Sequence, residues 1–481
     1  MKLYSQNKNE GWRKFQSDLM LNSRKKKIMP RLFKFLLFSI TAVGFMVAIE
    51  TTPLGNFGQM VTDVKENLST KIKLDIPIPA AFLKAEAEKK PQNAPRQVLL
   101  TRDDVRALLD PSILVNSETP KIVIQGETEK FFVETTLDTS LQGLLIQNLE
   151  KLKTLTRGKP QRIGLVAMDP FTGKIVAMAG FDLDDPEANP CTMGDYPAAS
   201  IFKIVTAATA VETMGYTPKT PLSFNGGKYT LYKRQLTDTR NRHTTEVTLA
   251  SAFAESINPV FGKIASTGLG PEKLALYATA FGFNQGVETD FPFDSGSFVL
   301  TDSAFQLAEV GCGFNKTTTI SPMFGAMLAS TIVNRGNRPL PSMVKQITDT
   351  RGNVIYTGAT SSVQKAISPE TAMALRTMMA ETILRGTARR AFKGAEKDST
   401  LSRLEMGGKT GSLSNRENTV RYDWFTGFAK EKNGEKSLAL AVVVGHRKYI
   451  GTRAATYARI MFKHYFNSYF ASNNKTNANR G

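Results

Sequence analysis

The segment Pro197–Val211 reads Pro-Ala-Ala-Ser-Ile-Phe-Lys-Ile-Val-Thr-Ala-Ala-Thr-Ala-Val. Its apolar residues run nearly all the way round a helix instead of forming one stripe, which predicts a helix packed on every side. Only a sizeable core can bury such a helix, and a chain of 481 residues, 41% of them hydrophobic, suffices for one large globular domain. Lys203 is the one charged residue in the segment. In that setting a lysine must be paired, be neutral or line a cavity. Ser200 precedes it by three residues, on the same helix face and at the N-terminus, where free N–H groups favour negative charge. A desolvated lysine has a lowered pKa and can accept the proton of a neighbouring hydroxyl, which makes Ser200 and Lys203 a candidate nucleophile and base. By itself the Ser-x-x-Lys spacing is common, and it also fits a surface helix with a solvated lysine.

Two further segments carry chemistry. Glu255-Ser256-Ile257-Asn258-Pro259 lies between the helical stretches 249–254 and 260–266. A serine and an asparagine two apart before a proline read as a turn and helix cap. As part of a site, Ser256 could relay protons between Lys203 and a leaving group, and the Asn258 amide could bind a substrate carbonyl. Gly407-Gly408-Lys409-Thr410-Gly411-Ser412 fails the phosphate-loop pattern, because Arg403 stands where its first glycine belongs. It reads as a strand whose glycines let a ligand approach the backbone, with a cation at Lys409 and hydroxyls at Thr410 and Ser412.

The rest of the chain frames these segments. A short helix over 100–109 capped by Thr101 precedes two strands, 121–125 and 130–136. Asp138-Thr139-Ser140 caps a helix whose leucines recur at helical spacing. Runs 163–168 and 175–179 form a hairpin about Asp169-Pro170-Phe171-Thr172-Gly173. A mostly helical middle follows, then a second meander over 422–429 and 437–444 and a final helix from Arg453 to about Phe470. Strands at both ends with helices between predict an α+β domain, an antiparallel sheet flanked by helices.

The formal charge of +19 is concentrated at the start, where ten basic residues stand against two acidic ones up to Lys34. The apolar run 32–49 follows, interrupted by Lys34 alone. Basic residues before such a run predict a single membrane anchor with a cytoplasmic N-terminus and an extracytoplasmic remainder. A cleaved signal peptide is the competing reading, but Val47-Ala48-Ile49-Glu50-Thr51 lacks a small-x-small cleavage pattern. With the cationic cluster ahead of the anchor, anionic lipid is its expected partner, and no nucleic-acid role is expected. Cys191 and Cys312 are the only cysteines; outside the cytoplasm they could pair. His243, His446 and His464 are too scattered for a zinc motif, so no metal or cofactor is expected.

Ser200-x-x-Lys203, Ser256-x-Asn258 and Lys409-Thr410-Gly411, in this order, form the motif set of the penicillin-binding proteins and serine β-lactamases, and the chain resembles that superfamily from about Glu134 to Phe470. The resemblance extends to the strand pair within 165–179, to Gly311-Cys312-Gly313 with Thr319–Pro322, and to Trp424-Phe425-Thr426-Gly427-Phe428. It implies a five-stranded antiparallel sheet flanked by helices, preceded by an N-terminal transmembrane helix and a short pedestal. The expected organisation is a basic tail 1–31, an anchor 32–49, a linker and small pedestal 50–133, a transpeptidase domain 134–470 and a disordered tail 471–481. The implied reaction is attack by Ser200 on the D-alanyl-D-alanine bond of a peptidoglycan stem peptide. Lys203 would take the serine proton and Ser256 would assist its return to the departing D-alanine. Lys409, Thr410 and Ser412, with Gly411 between them, would hold the substrate carboxylate, Asn258 would hold the side-chain amide, and the N–H groups of Ser200 and Ser412 would form the oxyanion hole. Implied partners are stem peptides, lipid-linked precursors and β-lactams. The segment before the domain lacks the acidic motif of a glycosyltransferase, so a separate glycan polymerase is an implied partner. The same first half-reaction serves a D,D-carboxypeptidase or a membrane-anchored serine β-lactamase, and a non-catalytic penicillin sensor or wall-binding scaffold is the alternative of another class.

Overall fold

The computed structural model describes residues 99–126, 129–299, 303–358 and 363–478. The predicted basic tail and anchor, and the lead-in as far as residue 98, lie outside them. Helix α1 (Arg102–Leu108) opens on a reciprocal cap in which the Thr101 hydroxyl accepts from the Asp104 N–H and the Asp104 carboxylate accepts from the Thr101 N–H. Strands β1 (Lys121–Gln125) and β2 (Lys130–Thr135) pair antiparallel, as the sequence predicts. Helix α2 (Thr139–Lys153) follows, its first turn capped by the Asp138 carboxylate accepting from the Leu141 N–H at 2.8 Å.

Strands β3 (Arg162–Met168) and β4 (Ile175–Asp182) form the first hairpin. Its turn is held by Asp169, which accepts from the N–H groups of Phe171 and Thr172, and is closed by Gly173 at φ +73°. The helical middle contains α3 (Lys203–Met214), α4 (Leu249–Ala254), α5 (Asn258–Lys263), α6 (Gly270–Phe281), α7 (Ala304–Cys312) and α8 (Pro322–Val333). Strands β5 (Val344–Thr348) and β6 (Val354–Thr357) precede α9 (Pro369–Leu384). The chain then forms β7 (Leu404–Ser414), β8 (Arg421–Glu431), β9 (Ser437–His446) and α10 (Ala454–Ala478).

The main sheet is five-stranded in the order β7-β8-β9-β3-β4, every pair antiparallel. The N-terminal hairpin therefore joins the C-terminal meander through β9, all ten of whose residues are buried. Alternation along β9 explains this: Leu438, Leu440, Val442 and Val444 pack with α2 and α10, whereas Ala439, Ala441 and Val443 belong to the clusters on the other face. Helix α8, buried at all twelve positions, lies on that second face, and a Cβ on its Gly325 would come within 2.9 Å of Ala441 Cβ. A smaller sheet, β1-β2-β5-β6, takes strands from before α2 and after α8.

Two local expectations change. The helix predicted to start at Pro197 starts later. Tyr196–Pro197 is a short strand paired with Thr319–Ile320, and a 3₁₀ turn, Ala199–Phe202, leads into α3. The reason is tertiary: the Ala198 N–H donates to Thr318 O and the Trp424 indole N–H donates to Pro197 O, which holds the entry extended. At the other end, residues 471–478, read as part of a disordered tail, continue α10, because neither proline nor glycine interrupts the chain before Gly481.

Candidate active site

Ser200 lies in the 3₁₀ turn directly before α3. Its neighbour Ala199 has φ +47°, a left-handed conformation unfavourable for a residue with a Cβ. Gly313 holds that turn from outside: it has φ +70°, and a Cβ there would stand 1.9 Å from Ala199 O. Gly411 on β7 closes the other side, since a Cβ on it would lie 3.2 Å from both Ala199 Cβ and the Ser200 backbone nitrogen. The serine is thus fixed by two glycines far away in sequence.

Lys203 is fully buried, as its apolar helix predicts. Its Nζ lies 2.8 Å from Ser200 Oγ, 2.8 Å from Asn258 Oδ1 and 2.5 Å from Cys312 O. No carboxylate is among these partners, and burial lowers its pKa to about 8. The Asn258 amide has a defined orientation because Nδ2 donates to Tyr229 O at 2.9 Å. Its Oδ1 can therefore only accept, and so can the Cys312 carbonyl. A neutral lysine donates its two N–H groups to those oxygens and turns its lone pair to the Ser200 hydroxyl. In the charged form the third N–H donates to Ser200 Oγ instead.

Ser256, between α4 and α5, has φ +60° and is nearly buried. Lys409 Nζ donates to Ser256 Oγ and to Thr410 O, both at 2.9 Å. Lys409 is also fully buried, and its pKa is held well below the ordinary lysine value by burial first and by Lys203 second. The glycines beside it admit close packing: a Cβ on Gly408 would collide with the Phe425 ring at 2.3 Å. Lys409 thus lies beneath the cleft and reaches it through Ser256 and the Thr410 carbonyl.

The cleft above these groups has a volume of about 950 Å³. Ser200, Ser256, Asn258, Thr410, Gly411 and Ser412 all line it. Ser412 Oγ accepts from Arg421 Nε at 2.9 Å. Thr410 Oγ1 is 2.5 Å from the hydroxyl of Thr387, in the turn after α9. That turn docks on the serine loop: the Thr387 N–H donates to Ala254 O, and a Cβ on Gly386 would lie 2.3 Å from the same oxygen. Thr387, Arg390, Arg421, Asp423 and Arg453 line the cleft without any signal in the local sequence. The Cys312 carbonyl was equally illegible, since any residue carries one. Cys191 and Cys312 are both buried and free, so the pairing left open by the sequence does not occur here. None of the three histidines lines the cleft.

Fold and site together define an α+β domain that seats a serine on the floor of an open cleft with a buried lysine beside it, between the edge strand of an antiparallel sheet and a helical region. Residues 163–463 match the family model for the penicillin-binding protein transpeptidase domain, and the chain belongs to that family. Among curated relatives, the chain is 24% identical over 339 residues to the peptidoglycan D,D-transpeptidase PbpA of Mycolicibacterium smegmatis, a match covering 63% of this chain and 66% of that protein. It is 24% identical over 345 residues to the penicillin-binding protein PbpB of the same organism, covering 64% of this chain and 50% of that protein. The matched region therefore spans half to two thirds of these relatives. Similar solved folds include the D,D-transpeptidase domain of a peptidoglycan glycosyltransferase from Eggerthella lenta (TM-score 0.56, 24% identity, 70% of this chain and 83% of that one). Penicillin-binding protein 3 of Mycobacterium tuberculosis in complex with ampicillin is another (TM-score 0.58, 20% identity, 71% and 78%).

Proposed function

We propose that this chain is a peptidoglycan D,D-transpeptidase that works through an acyl-enzyme on Ser200 and is acylated by β-lactams at the same atom. The observation that carries the reading is the hydrogen-bond set of Lys203. Two acceptor-only oxygens fix the amine, and burial lowers its pKa to about 8, so at neutral pH an appreciable fraction has a lone pair facing the Ser200 hydroxyl at 2.8 Å.

Ser200 Oγ attacks the carbonyl carbon of the penultimate D-alanine while its proton passes to Lys203. The N–H groups of Ser200 and Ser412 receive the developing oxyanion, where each donor contributes about 3 kcal/mol in comparable sites. The carbon–nitrogen bond then breaks, and Ser256 relays the proton to the leaving amine. Lys409 orients the Ser256 hydroxyl and polarises Thr410 from behind, whereas the substrate carboxylate meets the Thr410 and Ser412 hydroxyls. Asn258 retains one amide N–H, beyond the one given to Tyr229, for the donor peptide's carbonyl. The amine of a neighbouring stem peptide attacks the acyl-enzyme, loses its proton to the same relay and completes the cross-link.

The same reading includes a membrane anchor at 32–49, an extracytoplasmic catalytic domain and a separate glycan polymerase as partner; the basic tail and apolar run of the sequence support it. Intact-mass spectrometry after incubation with benzylpenicillin tests the chemistry. The adduct should form on the wild-type chain and be absent from Ser200→Ala with an unchanged melting profile. Undiminished labelling of that variant would remove Ser200 from the mechanism. Adduct turnover within seconds would turn the assignment to a β-lactamase, and decay indifferent to added D-amino acid would turn it to a carboxypeptidase.

A further inference from the structure

Four cationic side chains line the cleft, Lys316, Arg390, Arg421 and Arg453. Three are engaged. Lys316 donates to Asn418 Oδ1, Arg421 to Ser412 Oγ, and Arg453 is paired with Asp423, whose other oxygen accepts from the Ala454 N–H at the start of α10. Arg390 has no ion-pair or hydrogen-bond partner among the described residues and is exposed. It belongs to the turn that carries Thr387, which docks on Ala254 and shares a hydrogen bond with Thr410. An uncommitted guanidinium thus stands on the same docked turn as the hydroxyl pair that faces the substrate's terminal carboxylate.

The proposed acyl transfer, on which this inference rests, adds a geometric constraint. The leaving group is an amine whose own carbon bears a carboxylate. The acceptor must bring its nitrogen to the acyl carbon along the path by which that amine departed, because the second half-reaction runs the first in reverse with a different amine. Groups that hold the departing carboxylate are then in place to hold one beside the incoming amine.

We propose that Arg390, together with the Thr387–Thr410 hydroxyl pair, selects acceptors in which the attacking amine is borne on a carbon carrying a free carboxylate, as in a D-amino acid or the distal centre of a diamino diacid. Simple ω-amines and amidated acceptors lack the anion and are disfavoured. In the step, the acceptor nitrogen forms a bond to the acyl carbon, the ester bond to Ser200 Oγ breaks, and one amine proton returns to Oγ through the Lys203 and Ser256 relay. A guanidinium–carboxylate contact is the kind of charge-assisted pair that confers about tenfold discrimination.

The test uses the purified full chain loaded by an N-acyl-D-alanyl thioester whose leaving thiol carries no carboxylate. D-Alanine and D-alaninamide then compete for one acyl-enzyme, and the product ratio is read by mass spectrometry. Because both acceptors draw on the same intermediate, the ratio does not depend on the loading rate. The wild type should favour D-alanine by about tenfold, Arg390→Gln should bring the ratio close to parity, and Arg390→Lys should keep part of the preference. A wild-type ratio near one, or an Arg390→Gln ratio equal to the wild type's, would overturn the inference while leaving the acyl-transfer reading intact. Failure of the thioester to acylate Ser200 at all would bring down both.

Discussion

The protonation of Lys203 offers the sharpest quantitative test. With its pKa held near 8, about one Lys203 in ten is neutral at pH 7 and about nine in ten at pH 9. If the neutral amine is the base, the second-order rate of acylation by a fluorescent penicillin rises about tenfold over that interval, with its midpoint near 8. The sign for stability runs the same way. Lys203 in the fold binds its proton less tightly than in the unfolded chain, so stability rises with pH between about 8 and the ordinary lysine value, by about 3 kcal/mol in all. Thermal melts at each pH therefore separate a loss of folded protein from a loss of base. Lys203→Arg keeps a cation of similar length that never deprotonates in this range, and acylation should fall by roughly a hundredfold or more while the pH dependence disappears. A flat or falling wild-type profile between pH 7 and 9, or a midpoint above 10, would refute the assignment of Lys203 as the base.

Two further substitutions probe the groups around that pair. Asn258→Asp puts a carboxylate 2.8 Å from Lys203 Nζ, which favours the ammonium form and should move the acylation midpoint up by roughly one pH unit or more; an unmoved midpoint would mean that Lys203 does not set it. Gly313→Ala adds a methyl group that would stand 1.9 Å from Ala199 O at a residue with φ +70°, costing about 1–3 kcal/mol of stability and displacing the Ser200 turn. Chemical denaturation measures the first effect and benzylpenicillin labelling the second, and wild-type labelling in a destabilised variant would show that the turn does not depend on Gly313.

Legibility in the sequence followed the range of the interaction concerned. The apolar surroundings of Lys203 are written in one helix and Ser200 is one turn away, so local periodicity pointed to a buried lysine beside a hydroxyl. The strands were legible for the same reason, as short apolar runs between turn residues such as Asp169 to Gly173. Their order was not, because β9 is equally apolar on both faces and gives no sign that β3 lies on one side of it and β8 on the other. Ser256 and Asn258 were found, yet a cap and a site look alike until Lys203 and Lys409 are seen to reach them.

What the sequence determined alone is the set of candidate groups: Ser200, Lys203, Ser256, Asn258 and the strand Lys409–Ser412, each marked by its neighbours along the chain. What only the tertiary structure decided is how those groups are held. The Cys312 carbonyl reaches Lys203 across 109 residues. Lys409 reaches Ser256, 153 residues distant. Gly313 and Gly411 fix the strained turn at Ala199, and the docking of the Thr387 turn on Ala254 leaves Arg390 unengaged at the cleft wall. These are contacts between elements, set by close packing and by the need of every buried polar group for a partner, and no local pattern encodes them.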